Sequence, residues 1–239
     1  MLRKSVTLIT GASGEMGHGR IERLAANGGS PVITIDLQPL DPSAHGMVER
    51  EYVGSILEEH LLERILAEYE VDAVYHLAAI LSTRAEFTPL TAHQVNVEGT
   101  LKLLDFAQAQ GESHGRPVLF MYPSSIAAYG LPDVATKERA GRIAEADWNL
   151  PTTMYGCNKL YCEHLGRYYA GHYKQLAAEV AHGKVDFRSI RFPGLISAFT
   201  VPSGGTSDFA PEMVHAAARG ASYACFVRPD TRIPFMAMP

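Results

Sequence analysis

As far as Phe192, short apolar, β-branched runs alternate with longer segments of helical period. Val6–Thr10, Pro31–Asp36, Asp72–Leu77, Pro117–Tyr122 and Val185–Arg191 read as strands. Glu15–Ala26, Ile56–Tyr69, Thr91–Gln110 and Thr152 to about Ala181 read as helices. Buried strands separated by helices of ten or more residues imply βαβ crossovers, hence an α/β fold with a doubly wound parallel sheet. Such sheets bind ligands beyond the carboxyl ends of their strands. The segments that matter are therefore Gly11–Gly17, Asp36, Ala78–Ser82, Ser124–Ser125 and Pro193–Gly194. After Phe192 the pattern changes to a Pro/Gly/Ser/Thr cluster, then a short helix, Pro211–Ala218, and a strand, Tyr223–Val227. The expected division is a domain over 1–192 and a small, apparently truncated substrate lobe over 193–239. Leu131–Trp148 is polar and reads as a surface excursion.

Bulk properties narrow the class. The 239 residues are 46% hydrophobic and 20% charged, with a net charge of −5 that disfavours a nucleic-acid partner. No apolar run approaches the roughly 18 residues of a membrane span. Cys157, Cys162 and Cys225 form no CxxC pair, and no metal-ligand spacing is present. A basic start runs directly into the first strand without a leader-like apolar region, so the expected location is cytoplasmic.

Gly11-Ala12-Ser13-Gly14-Glu15-Met16-Gly17 follows the first strand and opens the first helix. Glycines there let backbone approach a pyrophosphate, and the helix N-terminus offers free N–H groups to the anion. A glycine-rich turn alone is weak. Asp36 strengthens it, ending the second strand 19 positions after Gly17, near the spacing of an acid that binds ribose hydroxyls. A carboxylate there repels a 2′-phosphate, which favours NAD over NADP.

Of the eleven tyrosines only Tyr155 has a lysine four residues later, Lys159, on the same helical face. A free tyrosine titrates near ~10, whereas a base for an alcohol should titrate near working pH. The ammonium and the nicotinamide charge would favour phenolate, and bringing it near neutrality takes roughly 4 kcal/mol. Alone, this spacing is more often a surface pair. Here it accompanies a cofactor loop and Ser124-Ser125, where a hydroxyl could orient a substrate alcohol.

Together these residues resemble the extended short-chain dehydrogenase/reductase family (NAD-dependent epimerases and dehydratases). The likeness runs through Gly11, Gly14, Gly17 and Asp36, His76-Leu77-Ala78-Ala79, Asn96, Ser124 to Gly130, Tyr155 to Lys159 and Arg191 to Gly194. It implies a Rossmann-type sheet with NAD held by Gly11, Gly14, Glu15, Met16, Gly17 and Asp36. It places Ser55, Ile56, Leu77, Ala78, Ala79, Asn96, Tyr155, Lys159 and Pro193 along the same cofactor. Tyr155 would be the base, Lys159 its partner and Ser125 the polarising hydroxyl. Asn96, the fourth member of the catalytic set, would brace the helix that carries the water-linked proton path of Lys159.

Within the family the chain is most similar to the short-chain-type L-threonine 3-dehydrogenases, over Ala79–Ser82, Arg191–Ser197 and Gly204–Ala210. That likeness implies a small hydroxy substrate such as L-threonine, contacted by Ser82, Ser124, Ser125, Tyr155, Gly194 and Thr206. It also implies a homodimer through the two long helices. The same Ser/Tyr/Lys set serves nucleotide-sugar epimerases, dehydratases and sugar-acid dehydrogenases, and a non-catalytic NAD-binding chain is a further alternative. Three departures stand out. Ser55 replaces the usual adenine-site acid, and Thr83-Arg84 replaces smaller residues. The chain also stops at Met238-Pro239, where exposed apolar surface is expected.

Overall fold

The computed structural model describes residues 3–179, 181–197 and 204–238. The strands and helices in chain order are β1 (Lys4–Thr10), α1 (Glu15–Ala26), β2 (Val32–Asp36), β3 (Arg50–Val53), α2 (Glu59–Glu68), β4 (Tyr69–His76), α3 (Ser82–Phe87), α4 (Pro89–His93), α5 (Gly99–His114), β5 (Val118–Ser125), α6 (Val134–Ala140), α7 (Met154–Gly171), β6 (Val185–Phe192), β7 (Gly194–Ile196), α8 (Phe209–Ala218) and β8 (Phe235–Ala237). Six strands form one parallel sheet in the order β3-β2-β1-β4-β5-β6, the doubly wound arrangement that the alternating pattern predicts.

Strand alternation divides the core in two. Val6 and Leu8 of β1 with Ile33 and Ile35 of β2 face one layer, where Leu62 and Ile65 of α2, Leu103, Leu104 and Ala107 of α5, and Cys162 and Tyr169 of α7 cover them. Ile9 and Val32 face the other, against Ile21 of α1 and Leu40. On α7 the buried residues include Lys159, Cys162, Glu163 and Gly166 at helical spacing, so two charged residues share the stripe that meets the sheet.

The structure corrects several boundaries. β3 has no counterpart in the sequence pattern, because Arg50 and Glu51 dilute its apolar signal. The helix expected over Thr91–Gln110 is one helical run from Pro89 to His114 with a π-helical turn at Gln94–Glu98. α7 ends at Gly171, well short of Ala181. The strand expected at Tyr223–Val227 does not form. The Tyr223 hydroxyl donates to Glu212 Oε2 of α8 (2.5 Å). The strand in this region is instead β8, which pairs parallel with β7 in a second small sheet. Ile190 of β6 is 50% exposed, and Met213, Val214 and Phe226 are also exposed. Beside Ile190, a hollow of about 170 Å³ is lined by Tyr75, Met121 and Phe192.

Candidate active site

A cleft of about 1310 Å³ opens along the carboxyl ends of the parallel strands. At one end the chain leaves β1 through Gly11, whose φ of +68° suits glycine. A Cβ on Gly11 would stand 2.5 Å from Ala78 N, and one on Gly17 would stand 2.4 Å from Ala12 O. Neither position has room for a side chain, so the turn packs against the end of β4 and bares its backbone to the cleft. Gly14 caps α1 without a side-chain bond, leaving the first-turn N–H groups to face the cleft beside Glu15 and Met16. Asp36 is fixed through both oxygens, by Ser13 N (3.0 Å) and Gln38 N (2.9 Å). Ser55 and Ile56 line the same end, and Ser55 Oγ accepts from Leu57 N (3.2 Å). Leu77, Ala78 and Ala79 form the middle of the cleft, and Pro193 and Gly194 its far side.

Thr153 caps α7 by accepting from Gly156 N (3.1 Å), and that cap sets Tyr155 in the first turn, on the cleft wall. One turn later, buried Lys159 donates to Pro123 O of β5 (2.8 Å) and lies 5.4 Å from the Tyr155 ring centroid. Burial brings Lys159 down to about 8 and pushes Tyr155 up to about 12. The depressed tyrosine expected from the sequence is therefore not produced by these residues alone. Burial outweighs an ammonium that is engaged with a carbonyl.

The pleat of β5 separates its two terminal serines. Ser125 faces the cleft, accepts from Ala127 N (3.1 Å), and keeps its hydroxyl proton for another acceptor. Ser124 points under α7 and donates to Glu163 Oε1. Glu163 in turn holds Arg191 through Nε (2.8 Å) and Nη2 (2.7 Å), with both side chains under a tenth exposed. Burial raises the Glu163 carboxyl, but bonds from Arg191 and Ser124 outweigh it and leave it below its ordinary value. Ser124, expected as a substrate contact, also lines the cleft and at the same time buttresses a buried ion pair.

Asn96 lies outside the residues that line the cleft. Its side chain accepts from Ile80 N (2.7 Å) and donates to Ile80 O (3.0 Å), fixing the segment after β4, with a 3.4 Å contact to Asn158 of α7. Nearby, His76 bridges Thr10 Oγ1 (2.8 Å) and Thr100 Oγ1 (2.9 Å), and Thr100 donates to Asn96 O (2.6 Å). That pattern puts the proton on Nε2. Burial and the Lys159 charge keep the ring neutral, with its pKa lowered to about 3. Across the cleft Ser82 Oγ accepts from Thr206 N (3.0 Å), joining two residues 124 positions apart. Arg84, Tyr129 and Lys137 also line the cleft, and no sequence spacing singled out the last two.

Residues 7–236 match the sequence profile of the NAD dependent epimerase/dehydratase family. The chain belongs to this family. NAD is its cofactor, and the side-chain-free turn, the open helix N-terminus and the fixed Asp36 fit that group. Over 238 residues it is 31% identical to the mitochondrial L-threonine 3-dehydrogenase of Bos taurus, covering 96% of this chain and 56% of that protein. It is 32% identical over 234 residues to an uncharacterized epimerase/dehydratase of Staphylococcus aureus, covering 97% and 66%. The solved GalE-like L-threonine dehydrogenase of Cupriavidus necator superposes with a TM-score of 0.81 at 32% identity, covering 98% and 68%. The chain thus spans 56% to 66% of the length of these two curated relatives. Among the described residues no helix is long and apolar enough to cross a membrane, and no His/Cys/Asp/Glu group could hold a metal ion.

Proposed function

We propose that this protein oxidises the secondary alcohol of a small hydroxy substrate, with L-threonine the leading candidate and 2-amino-3-oxobutyrate its product. The observation that carries this reading is the convergence of Tyr155, Ser125 and Lys159 on one wall of the cleft that begins at the glycine turn. NAD, when bound, supplies the hydride acceptor. Gly11, Gly14, Glu15, Met16, Gly17 and Asp36 would hold its adenosine and pyrophosphate, with Ser55, Ile56, Leu77, Ala78, Ala79 and Pro193 along its length. Ser125 donates to the substrate oxygen and orients it. Tyr155 takes the hydroxyl proton, and Lys159 stabilises the phenolate that makes this possible. Ser82, Thr206 and Gly194 form the opposite wall. Asn96 acts through the backbone it fixes. The change of sheet at Pro193 supports a lobe boundary there. The same reading places the protein in the cytoplasm as a homodimer; exposed Leu101 of α5 and exposed Tyr161 and Tyr168 of α7 support pairing through the two long helices.

Likeness at comparable identity to an epimerase/dehydratase sustains a second reading, in which the same trio acts on a nucleotide sugar and the hydride returns to it. NADH absorbance separates the two. With NAD and L-threonine, steady NADH formation that vanishes in Tyr155→Phe is expected. NAD binding by calorimetry without any NADH would refute the threonine assignment.

A further inference from the structure

α3 is a short bridge across the mouth of the cleft. Its Glu86 accepts from Met154 N at the start of α7 (2.6 Å), one residue before Tyr155. Its Thr83 N donates to Gly204 O (3.3 Å), and its Ser82 holds Thr206. Between these two anchors lies Arg84, exposed, with its side chain on the cleft wall. The other cations of the cleft are committed: Lys159 to Pro123 O, Lys137 to Arg232 O, and Arg191 to Glu163. The acids near α3 are committed as well, Glu86 to Met154 N and Asp208 to Gly204 N and Gly205 N. No described residue pairs with the Arg84 guanidinium.

We propose that Arg84 binds a carboxylate of the substrate, which makes this site selective for hydroxy acids over neutral alcohols. The inference rests on the reading of the cleft as an alcohol-oxidising site. A guanidinium presents two parallel N–H donors that match the two oxygens of a carboxylate, which an ammonium cannot do. Arg84 lines the same cleft as Ser125, Tyr155, Ser82 and Thr206. With L-threonine the group held would be the α-carboxylate, which branches from the carbon next to the one that bears the reacting hydroxyl and so can point away from Tyr155.

The test is calorimetric titration of the NADH-loaded chain with L-threonine, 3-hydroxybutyrate, D-glucuronate and L-threoninamide, using wild type, Arg84→Gln and Arg84→Lys. At least one acid is expected to bind wild type, to weaken by roughly tenfold or more in Arg84→Gln, and to recover partly in Arg84→Lys. L-Threoninamide should bind the wild type and Arg84→Gln equally. If the Arg84-dependent acid is not L-threonine, the threonine assignment falls while the carboxylate site stands. The carboxylate site is overturned if no acid binds, if Arg84→Gln leaves acid affinity unchanged, or if the amide weakens as much as the acid.

Discussion

Lys159→Met should separate what the lysine does for chemistry from what it costs the fold. The side chain is 3% exposed, and burial lowers its pKa from 10.5 to about 8. That difference corresponds to roughly 3 kcal/mol of penalty for keeping the charge in the folded chain at neutral pH. The folded value is depressed, so the stability contributed by the neutral amine is fully present only above pH 10.5. It is lost as pH falls to about 8. Methionine removes the titration together with the bond to Pro123 O, itself worth about 1 kcal/mol. The variant should therefore be about 2 kcal/mol more stable than its parent at pH 7, and about 1 kcal/mol less stable near pH 10.5. Urea denaturation followed by the fluorescence of the single tryptophan, Trp148, reads both values. Other titrating groups cancel in the difference. A stability gap that stays constant from pH 7 to 10.5 would refute the reasoning, and the same variant should form no NADH.

Other expectations follow from the same geometry. Gly17→Ala drives a Cβ to 2.4 Å from Ala12 O, so NAD affinity by calorimetry should fall by roughly tenfold or more; wild-type affinity would mean the turn does not contact the cofactor. Glu163→Gln strands the Arg191 charge and should cost about 3–5 kcal/mol in chemical denaturation, much of it recovered when Arg191→Met is added. Ser124→Ala should lose only about 1 kcal/mol and keep turnover, whereas Ser125→Ala should lower kcat, and equal effects on kcat would contradict the division of roles along β5. Asp36→Ala should raise affinity for NADP relative to NAD by roughly tenfold, and an unchanged ratio of the two dissociation constants would remove Asp36 from the ribose site.

The sheet, the glycine turn and the Tyr155/Lys159 spacing were legible because each rests on local periodicity or backbone need. What escaped depends on distant partners. β3 is a strand because Ile33–Asp36 of β2 offer it a register from Arg50 to Val53, and four half-polar residues cannot advertise that. Tyr223–Val227 has strand propensity but pairs with neither sheet, and Tyr223 is bonded to α8. Ser124 and Ser125 are equivalent letters until the pleat turns one hydroxyl onto Glu163 and leaves the other with its proton unspent. The elevation of Tyr155 is a property of burial, which spacing along a helix does not report.

The bond between Ser82 and Thr206 has a consequence for molecular discrimination. Ser82 Oγ spends its proton on Thr206 Oγ1 and accepts from Thr206 N, so its donor is used inside the wall, whereas the Thr206 hydroxyl only accepts and keeps its own proton. An incoming acceptor can be met by Thr206 while the link stays closed. An incoming donor instead competes with the bond that joins the two segments. The wall therefore discriminates by hydrogen-bond polarity, welcoming a molecule that turns a lone pair towards Thr206.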